Sequence, residues 1–578
     1  MADRFLALLP SDETGRALSA AIADRALRTQ GLHEVIARPD LRVLADPGME
    51  ARPIGSGEGV LLGRLFEAEA NCRRAPQRLE SSWVRNPAEG LFRHGWGAYV
   101  AFSTEAQTGG VAVLRDPSGA MPAYFVDWEG VPVVFSDADL AMAMGVLPSR
   151  LSWAFVAHYL AFPELRLPIT GVIGVTELLA GQVARFSERR TQVETVWRPS
   201  TFGGRGSDGS LSEAAQRVGS TTRACVQALA REHPAIAVRL SGGLDSSIVT
   251  RCLDDAPAAV TCINMLTPGP DGDERRYAQA VADASGRSLQ VLTPTPDAIS
   301  TVNRARQLRP GPPALLEGID RILAQAAIEL GATAVFTGGG GDNVFAHLSS
   351  VTPASDRLLA TGPGLGFWRT AAEVAEINQV TTWRVAWGSL RRSLTPRMSW
   401  RPDLRFLRPG ATPERPISHP WLEAAKAVSP GQIAHIAALL RVQNHVDPAL
   451  RLGSVAMVHP LLAQPVVEAC LGVPSWLWVA GGVDRAVARA AFRGDVPELV
   501  LKRRGKGRLD SYCGRVYAHS RATLRDLLLE GRLASQGLLD VAGIGAYLDK
   551  PGIPRDADFY RLFGIADVEL WARAWSEA

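Results

Sequence analysis

The sequence predicts an α/β chain in two parts. Residues 1–200 form a β-rich N-terminal domain, and residues 201–578 form a parallel-sheet domain with a helical C-terminal portion. Three observations predict this. Short β-type runs separated by turn clusters fill the first part. Strands alternate with helices from about 210 to 337. A polar, glycine-rich stretch at 200–210 divides the two patterns.

In the first part, 5–9 reads as an opening strand, followed by strands at 97–102, 111–114 and 131–135 in a layered domain. The second part opens with a helix over 212–230 that carries Val218, Thr222, Cys225, Val226 and Leu229 on one face. Strand 235–240, a glycine turn and a helix starting at Ser246 come next. Then follow strand 259–266, helix 274–284, strand 289–292, helix 319–330 and strand 333–337. Strands joined through helices lie parallel, with both faces of the sheet covered, and ligands bind at the carboxyl ends of such strands. From about 415 the pattern is helical, at 421–428, 432–443, 465–471, 483–492 and 521–529. Residues 350–415, rich in Arg, Pro, Gly and Trp, give no assignable pattern and are a candidate place for a mobile loop.

A chain of 578 residues has room for two to four domains and a large core. A net charge of +3 gives no reason to expect nucleic acid or a membrane surface as partner. No apolar run reaches bilayer-spanning length, and the first residues make a poor signal peptide. The six cysteines are scattered with no C-x-x-C spacing, as expected of buried free thiols in a reducing cytoplasm.

Chemistry concentrates at Ser241-Gly242-Gly243-Leu244-Asp245-Ser246-Ser247. A buried strand running into a glycine turn and a helix aims free N–H groups and a helix dipole at one spot, which suits phosphate. Adjacent glycines permit close backbone approach, and Ser241, Ser246 and Ser247 add hydroxyls. Asp245 would repel phosphate unless a cation lay between them, which implies Mg²⁺. No Gly-Lys-Ser/Thr follows, so this is not a Walker loop. Strand 333–337 ends in a second glycine turn, Gly338-Gly339-Gly340-Gly341-Asp342-Asn343. Two turns at one sheet edge can direct Asp245 and Asp342 to one Mg²⁺–triphosphate. Only four of the 62 Lys and Arg residues are lysines, and two of these, Lys502 and Lys506, lie in the basic loop 501–507. A lysine flanked by glycines in so arginine-rich a chain is a candidate functional amine.

Several motifs, in order, resemble the synthetase domain of asparagine synthetases over about 210–515. They are the 241–247 loop, Asp273-Glu274 ahead of Tyr277-Ala278, the 337–343 turn, His459-Pro460-Leu461-Leu462 with Val473-Pro474, and Arg504-Gly505-Lys506-Gly507. Segments 114–119, 122–125 and 134–137 look like the class II glutaminase fold of that family, and 179–182 with Trp197 like its domain connection. The resemblance implies an αββα glutaminase-like domain followed by a pyrophosphate-loop synthetase domain of the adenine-nucleotide α-hydrolase type. It implies ATP and Mg²⁺ as cofactors. Leu240, Ser241, Gly242, Gly243, Leu244, Asp245, Ser246, Ser247 and Gly338 would bind ATP, with Leu240 and the Gly338 backbone beside the adenine. Asp245 and Asp342 would hold the metal, and Lys506 and Arg504 would be the catalytic cations.

Departures from the family direct the functional reading. Residue 2 is Ala2 where a working glutaminase has its nucleophilic cysteine, and the first cysteine is Cys72, so the glutaminase is expected to be inactive. Gly339 stands where asparagine synthetases carry a glutamate and β-lactam-forming relatives a tyrosine, and Asn343 replaces the turn's final acid. These changes imply an opened pocket without the usual acid–base group. The pattern looks most like the lasso peptide cyclases, which adenylate an Asp or Glu side chain of a precursor peptide and close a macrolactam with its N-terminal amine. That resemblance implies a precursor peptide as substrate, with a leader-processing protease and a recognition protein as partners. No general base is evident, and His347 is a candidate, although a helix-face histidine is more often structural. The alternatives are an ammonia- or small-amine-dependent asparagine or β-lactam synthetase, and a non-catalytic ATP-holding scaffold.

Overall fold

A computed structural model describes residues 4–68, 72–105, 109–187, 190–203, 209–267, 269, 272–301, 306–311, 313–395, 400–425, 428–445, 455–505, 507–554 and 556–575. Twelve strands build the N-terminal part: β1 (Phe5–Leu8), β2 (His33–Ala37), β3 (Arg42–Ala45), β4 (Ala51–Ile54), β5 (Gly59–Glu67), β6 (Gly95–Glu105), β7 (Gly110–Arg115), β8 (Tyr124–Trp128), β9 (Val131–Phe135), β10 (Thr176–Glu177), β11 (Gln182–Ser187) and β12 (Arg190–Thr195). They form two six-stranded antiparallel sheets, ordered β10-β8-β9-β1-β3-β2 and β12-β11-β7-β6-β5-β4.

Side-chain alternation explains how the sheets stack. Phe5 and Ala7 of β1 meet Val60 and Leu62 of β5 and Val100 and Phe102 of β6 in the layer between the sheets. Leu6 and Leu8 face the opposite way, into a cluster that includes Ile22 of helix Glu13–Gln30 and Phe155 of helix Trp153–Ala161. The outer face of the second sheet, with Leu61, Leu65 and Tyr99, is buried in one cluster with Leu440, Val466 and Trp478 of the C-terminal part. Its covering layer is therefore supplied largely from the other half of the chain. The 18-residue helix Glu13–Gln30, capped by Asp12, has no counterpart in the sequence reading.

The C-terminal sheet is all parallel, ordered β15-β14-β13-β16-β17, with β13 (Ala235–Arg239), β14 (Ala259–Met265), β15 (Leu289–Leu292), β16 (Ala334–Thr337) and β17 (Ala456–Val458). The expected alternation is present through helices Leu211–Ala230, Arg275–Ala284 and Glu317–Glu329. β12 ends at Thr195, and residues 204–208 of the expected divider lie outside the described residues.

Two expectations need correction, and one unassigned segment gains structure. Residues 350–395 give no pattern in the sequence. They hold helices Thr352–Thr361, Leu365–Asn378 and Thr382–Leu394, packed around Phe367, Val374 and Val385. The expected helix 483–492 shortens to Ala486–Ala491, because Gly481, Gly482 and Arg485 all have left-handed backbone. The expected helix 521–529 is the second half of Asp510–Leu529, whose aromatic first turns hid the helical period. Among the described residues no helix is long and apolar enough to cross a membrane. All six cysteines are free and buried, as expected.

A fully buried carboxylate joins the two parts. Glu177 pairs with Arg115 (2.8 Å) and Arg166 (2.7 Å) of the N-terminal part and with Arg309 (2.7 Å) of the C-terminal part. Burial alone would raise Glu177, but three guanidinium groups outweigh it and hold the carboxyl well below the usual range. Nearby, Trp197 packs edge-on against Trp421 and donates to Glu468 Oε1 (2.7 Å), which also accepts from Gln464 (2.8 Å).

Burial pushes Glu468 up to about 7, against those two hydrogen bonds. Its folded pKa thus lies above the unfolded value of about 4.3. Between these pH values the unfolded chain loses a proton that the folded chain keeps, so stability falls as pH rises through that window. Glu468→Gln keeps the oxygen acceptor and removes the ionisation. Its melting temperature should vary less between pH 5 and 8 and exceed wild type at pH 8; parallel melting curves for the two proteins would rule out this role.

Candidate active site

β13 is followed in sequence by β14 on one side, and the chain later returns as β16 on the other. The crevice between β13 and β16 is therefore the topological switch point of the sheet, where side chains at both carboxyl ends reach one ligand. The two glycine turns leave the sheet here. The first leads into helix Leu244–Cys252, which starts two residues earlier than expected because extended Gly243 is its N-cap. Asp245 thus sits in the first turn. Gly242 has φ +72°, and a Cβ there would lie 2.5 Å from Tyr277 Cβ, so the turn needs glycine for both conformation and space.

The serines are partly spent on the loop itself. Ser247 Oγ, fully buried, donates to the Gly243 carbonyl (2.8 Å), and Ser246 Oγ donates to the same carbonyl (3.2 Å). Ser241 Oγ accepts from Gly243 N (3.2 Å), and Ser241 is exposed. Leu240 is buried, its carbonyl accepting from the Asn264 side chain (2.8 Å).

The second turn packs backbone against backbone. A Cβ at Gly338 would come within 2.5 Å of Ser246 N, and one at Gly341 would collide with the Asp245 carboxyl. This contact brings Asp245 and Asp342 together, as the sequence predicts, but with an unforeseen partner between them. Arg485 Nη1 lies 3.1 Å from Asp245 Oδ1 and 2.6 Å from Asp342 Oδ1, and Arg485 Nε lies 2.7 Å from Asp484 Oδ2. Burial works against the Arg485 charge, but the three carboxylates prevail and raise its pKa. Asp484 also meets Arg489 (2.8 Å) and His347 (3.4 Å). Burial would raise Asp484, yet the His347 hydrogen bond and the two arginines hold it below the ordinary carboxylate range. The adjacent acid and base at 484–485, ahead of a helical run, were the available sequence signal for this cluster.

Beside the cluster lies a cavity of about 270 Å³, bounded by Gly243, Asp342, Arg485 and residues 503–505. The basic loop is pinned from Glu274, which pairs with Arg503 (2.7 Å) and accepts from Gly507 N (2.8 Å) on either side of position 506. Arg503 also stacks over Tyr277 at 4.1 Å. The Asp273-Glu274…Tyr277 motif thus holds the loop against the glycine turn. Arg504 lines the cavity and pairs with Glu376 (3.1 Å). Lys506 lies outside the described residues.

One expectation about the pocket fails. Gly339 does not leave open space, because a Cβ there would lie 2.6 Å from His459 Nδ1. That imidazole is held by Thr337 Oγ1 (2.9 Å) and fills the place a side chain at 339 would take. Asn343 turns away and donates to the Ala438 carbonyl (2.6 Å). His347 follows the short helix Gly341–Val344 and is not on a helix face; it lines the cavity.

The residues present fit Mg²⁺. Two carboxylates already converge on one cationic nitrogen, and an oxygen-only donor set completed by water and phosphate oxygens suits that ion. Arg485 is the counter-charge that holds the acids together here. Arg485→Met should destabilise the protein in EDTA by about 2–3 kcal/mol, less than for a fully buried pair because Asp342 is partly solvated. Added Mg²⁺ should recover part of the loss. An unchanged melting temperature in EDTA would show that the guanidinium carries no such load.

A sequence profile described as asparagine synthase matches residues 217–573. No functionally curated protein matches the chain significantly. Among solved structures, the chain is similar to an allosteric regulatory enzyme of purine biosynthesis, at 10% identity over 51% of this chain and 81% of that one, with a TM-score of 0.20. It is also similar to a glutamine phosphoribosylpyrophosphate amidotransferase from B. subtilis complexed with ADP and GMP, at 9% identity over 58% and 90%, with a TM-score of 0.19. Likeness at that level adds nothing to what the sheet topology establishes. The profile spans more than half of the chain and includes the strands and turns that build the Asp245–Asp342 crevice, and on this ground the chain belongs to the asparagine synthase family.

Proposed function

We propose that the protein closes a macrolactam in a ribosomally made precursor peptide, joining an Asp or Glu side chain to the peptide's N-terminal amine at the expense of ATP. ATP-dependent, AMP-forming carbon–nitrogen ligation is the chemistry of the family. The observation that carries the finer reading is a combination. Asp245 and Asp342 converge at the sheet edge, which supports adenylation there, while all six cysteines are buried and none offers a thiol to glutamine. The amine must therefore come from elsewhere, and a peptide that carries both reacting groups supplies it.

The peptide carboxylate oxygen attacks the α-phosphorus of ATP, and pyrophosphate leaves. Leu240 and the Gly338 backbone flank the adenine. The loop from Ser241 to Ser247, with Gly242, Gly243 and Leu244, would receive the phosphates. Asp245 and Asp342 would hold Mg²⁺, which would neutralise charge on the departing pyrophosphate. The amine nitrogen then attacks the acyl carbon, AMP leaves, and one proton is lost to solvent. Lys506 and Arg504 stabilise the charge on the transferring groups. An α-amine with a pKa of about 7.7–8.0 is already about 10–20% neutral at pH 7, and tethering both ends supplies much of the remaining acceleration.

His459 in the place of a 339 side chain narrows the pocket and favours a competing reading, in which ammonia or a small amine is the nucleophile. One assay separates the two. Incubation with Mg-ATP and the precursor peptide encoded beside the gene should release AMP and lower the peptide mass by one water. AMP formed only with aspartate and ammonium, and an unchanged peptide, would return the protein to small-molecule ligation. In the productive case Lys506→Arg should cut turnover by about 100-fold or more; wild-type turnover would remove the lysine from the mechanism.

A further inference from the structure

Helix Thr382–Leu394 buries one face and leaves another bare. Val385, Ala386 and Ser389 pack inward against helices Thr352–Thr361 and Leu365–Asn378. Trp383, Trp387, Leu390 and Leu394 point out, with relative exposures of 75%, 64%, 43% and 75%. Their spacing of four, three and four residues spans eleven residues in three turns, close to the repeat of the helix itself, so the stripe runs along the helix axis instead of winding around it. That is the seam which accepts a second helix. A lone exposed leucine would need no explanation, but a three-turn seam with two tryptophans, and Trp368 packed edge-on against Trp383 at 5.1 Å, is the composition of an interface centre.

Charge says what kind of helix fits. Helix Thr382–Leu394 carries Arg384, Arg391 and Arg392 and no acid. At 100° per residue, Arg384 and Arg391 fall together on one flank of the stripe. Neither has a carboxylate partner among the described residues. The acids of the neighbouring helices are engaged elsewhere: Asp356 with Ser429 and Ser475, Glu373 with Arg369 and Gly481 N, and Glu376 with Arg504. A second copy of this chain would bring arginine flank to arginine flank, which like-charge repulsion disfavours.

We propose that this seam docks an amphipathic helix of another polypeptide, with apolar residues at heptad positions and Asp or Glu beside them. Glu376 ties the three-helix unit to Arg504, and Glu373 ties it to the backbone ahead of Arg485, so the docked partner sits beside the loops that border the cavity. This inference is independent of which amine the active site uses.

The probe is a labelled 21-residue Leu/Ala/Glu heptad peptide titrated into the full-length protein and followed by fluorescence anisotropy. Its Lys counterpart and phosphatidylglycerol vesicles serve as comparisons. The Glu peptide should bind saturably and more weakly in high salt. Trp387→Ser should weaken binding at least tenfold without lowering the melting temperature. The double variant Arg384→Glu/Arg391→Glu should reverse the preference and bind the Lys peptide. Four outcomes would each overturn the proposal: no saturable binding, equal binding of both peptides by wild type, vesicle binding alone, or self-association that the variants abolish.

Discussion

Everything at the catalytic edge depends on one guanidinium held between two carboxylates that belong to different strands. Asp245 follows β13 and Asp342 follows β16, and without an intervening cation they would repel across a crevice partly sealed from water. Arg485 satisfies both, but only from a left-handed backbone position supported by Gly481 and Gly482. The two turns can come this close only because Gly338 and Gly341 present no side chain to helix Leu244–Cys252. The site is thus set by a chain of steric permissions: small residues let two turns touch, touching brings two acids together, and the acids select a cation.

A second buried charge does comparable work away from the chemistry. Glu177 gives up hydration entirely, yet three arginines from two parts of the chain converge on it. Arg166 also donates to the Gln443 carbonyl at 2.6 Å, and Arg309 to the Ile169 carbonyl at 3.0 Å. Fully satisfied networks of this sort fix one relative arrangement, since any shift would strand a charge. With the second sheet also buried against the C-terminal part, the N-terminal domain contributes as a structural element whatever its catalytic standing.

The parts of this structure legible from sequence were those in which local chemistry and tertiary demand coincide. The run from helix Leu211–Ala230 to β16 was readable because buried parallel strands are apolar and their helices amphipathic, and the two glycine turns stood out against that rhythm. The pairing of Asp245 with Asp342 followed from the sheet order. Arg485 was missed because, beyond the adjacent Asp484, its importance lies in a positive φ and in two partners more than a hundred residues away. His459 was read as part of a motif, and only the packing shows that it fills the place left by Gly339. The three helices after residue 350 were missed because one carries its tryptophans outward, which inverts the pattern used to recognise a buried face.

The end of the chain returns to its beginning. Trp571, in helix Asp558–Ala574, packs at a tilt against Phe155, ring centroids 6.2 Å apart, and donates to the Gln307 carbonyl, while Arg561 donates to the carbonyl of Leu160. The outer face of helix Trp153–Ala161 is therefore closed by residues made some 400 positions later. During synthesis, the N-terminal sheets emerge long before this cover exists and must wait with an apolar face open to water. Covering that face therefore depends on a contact of very high sequence separation, which forms only once helix Asp558–Ala574 is available to pack on helix Trp153–Ala161.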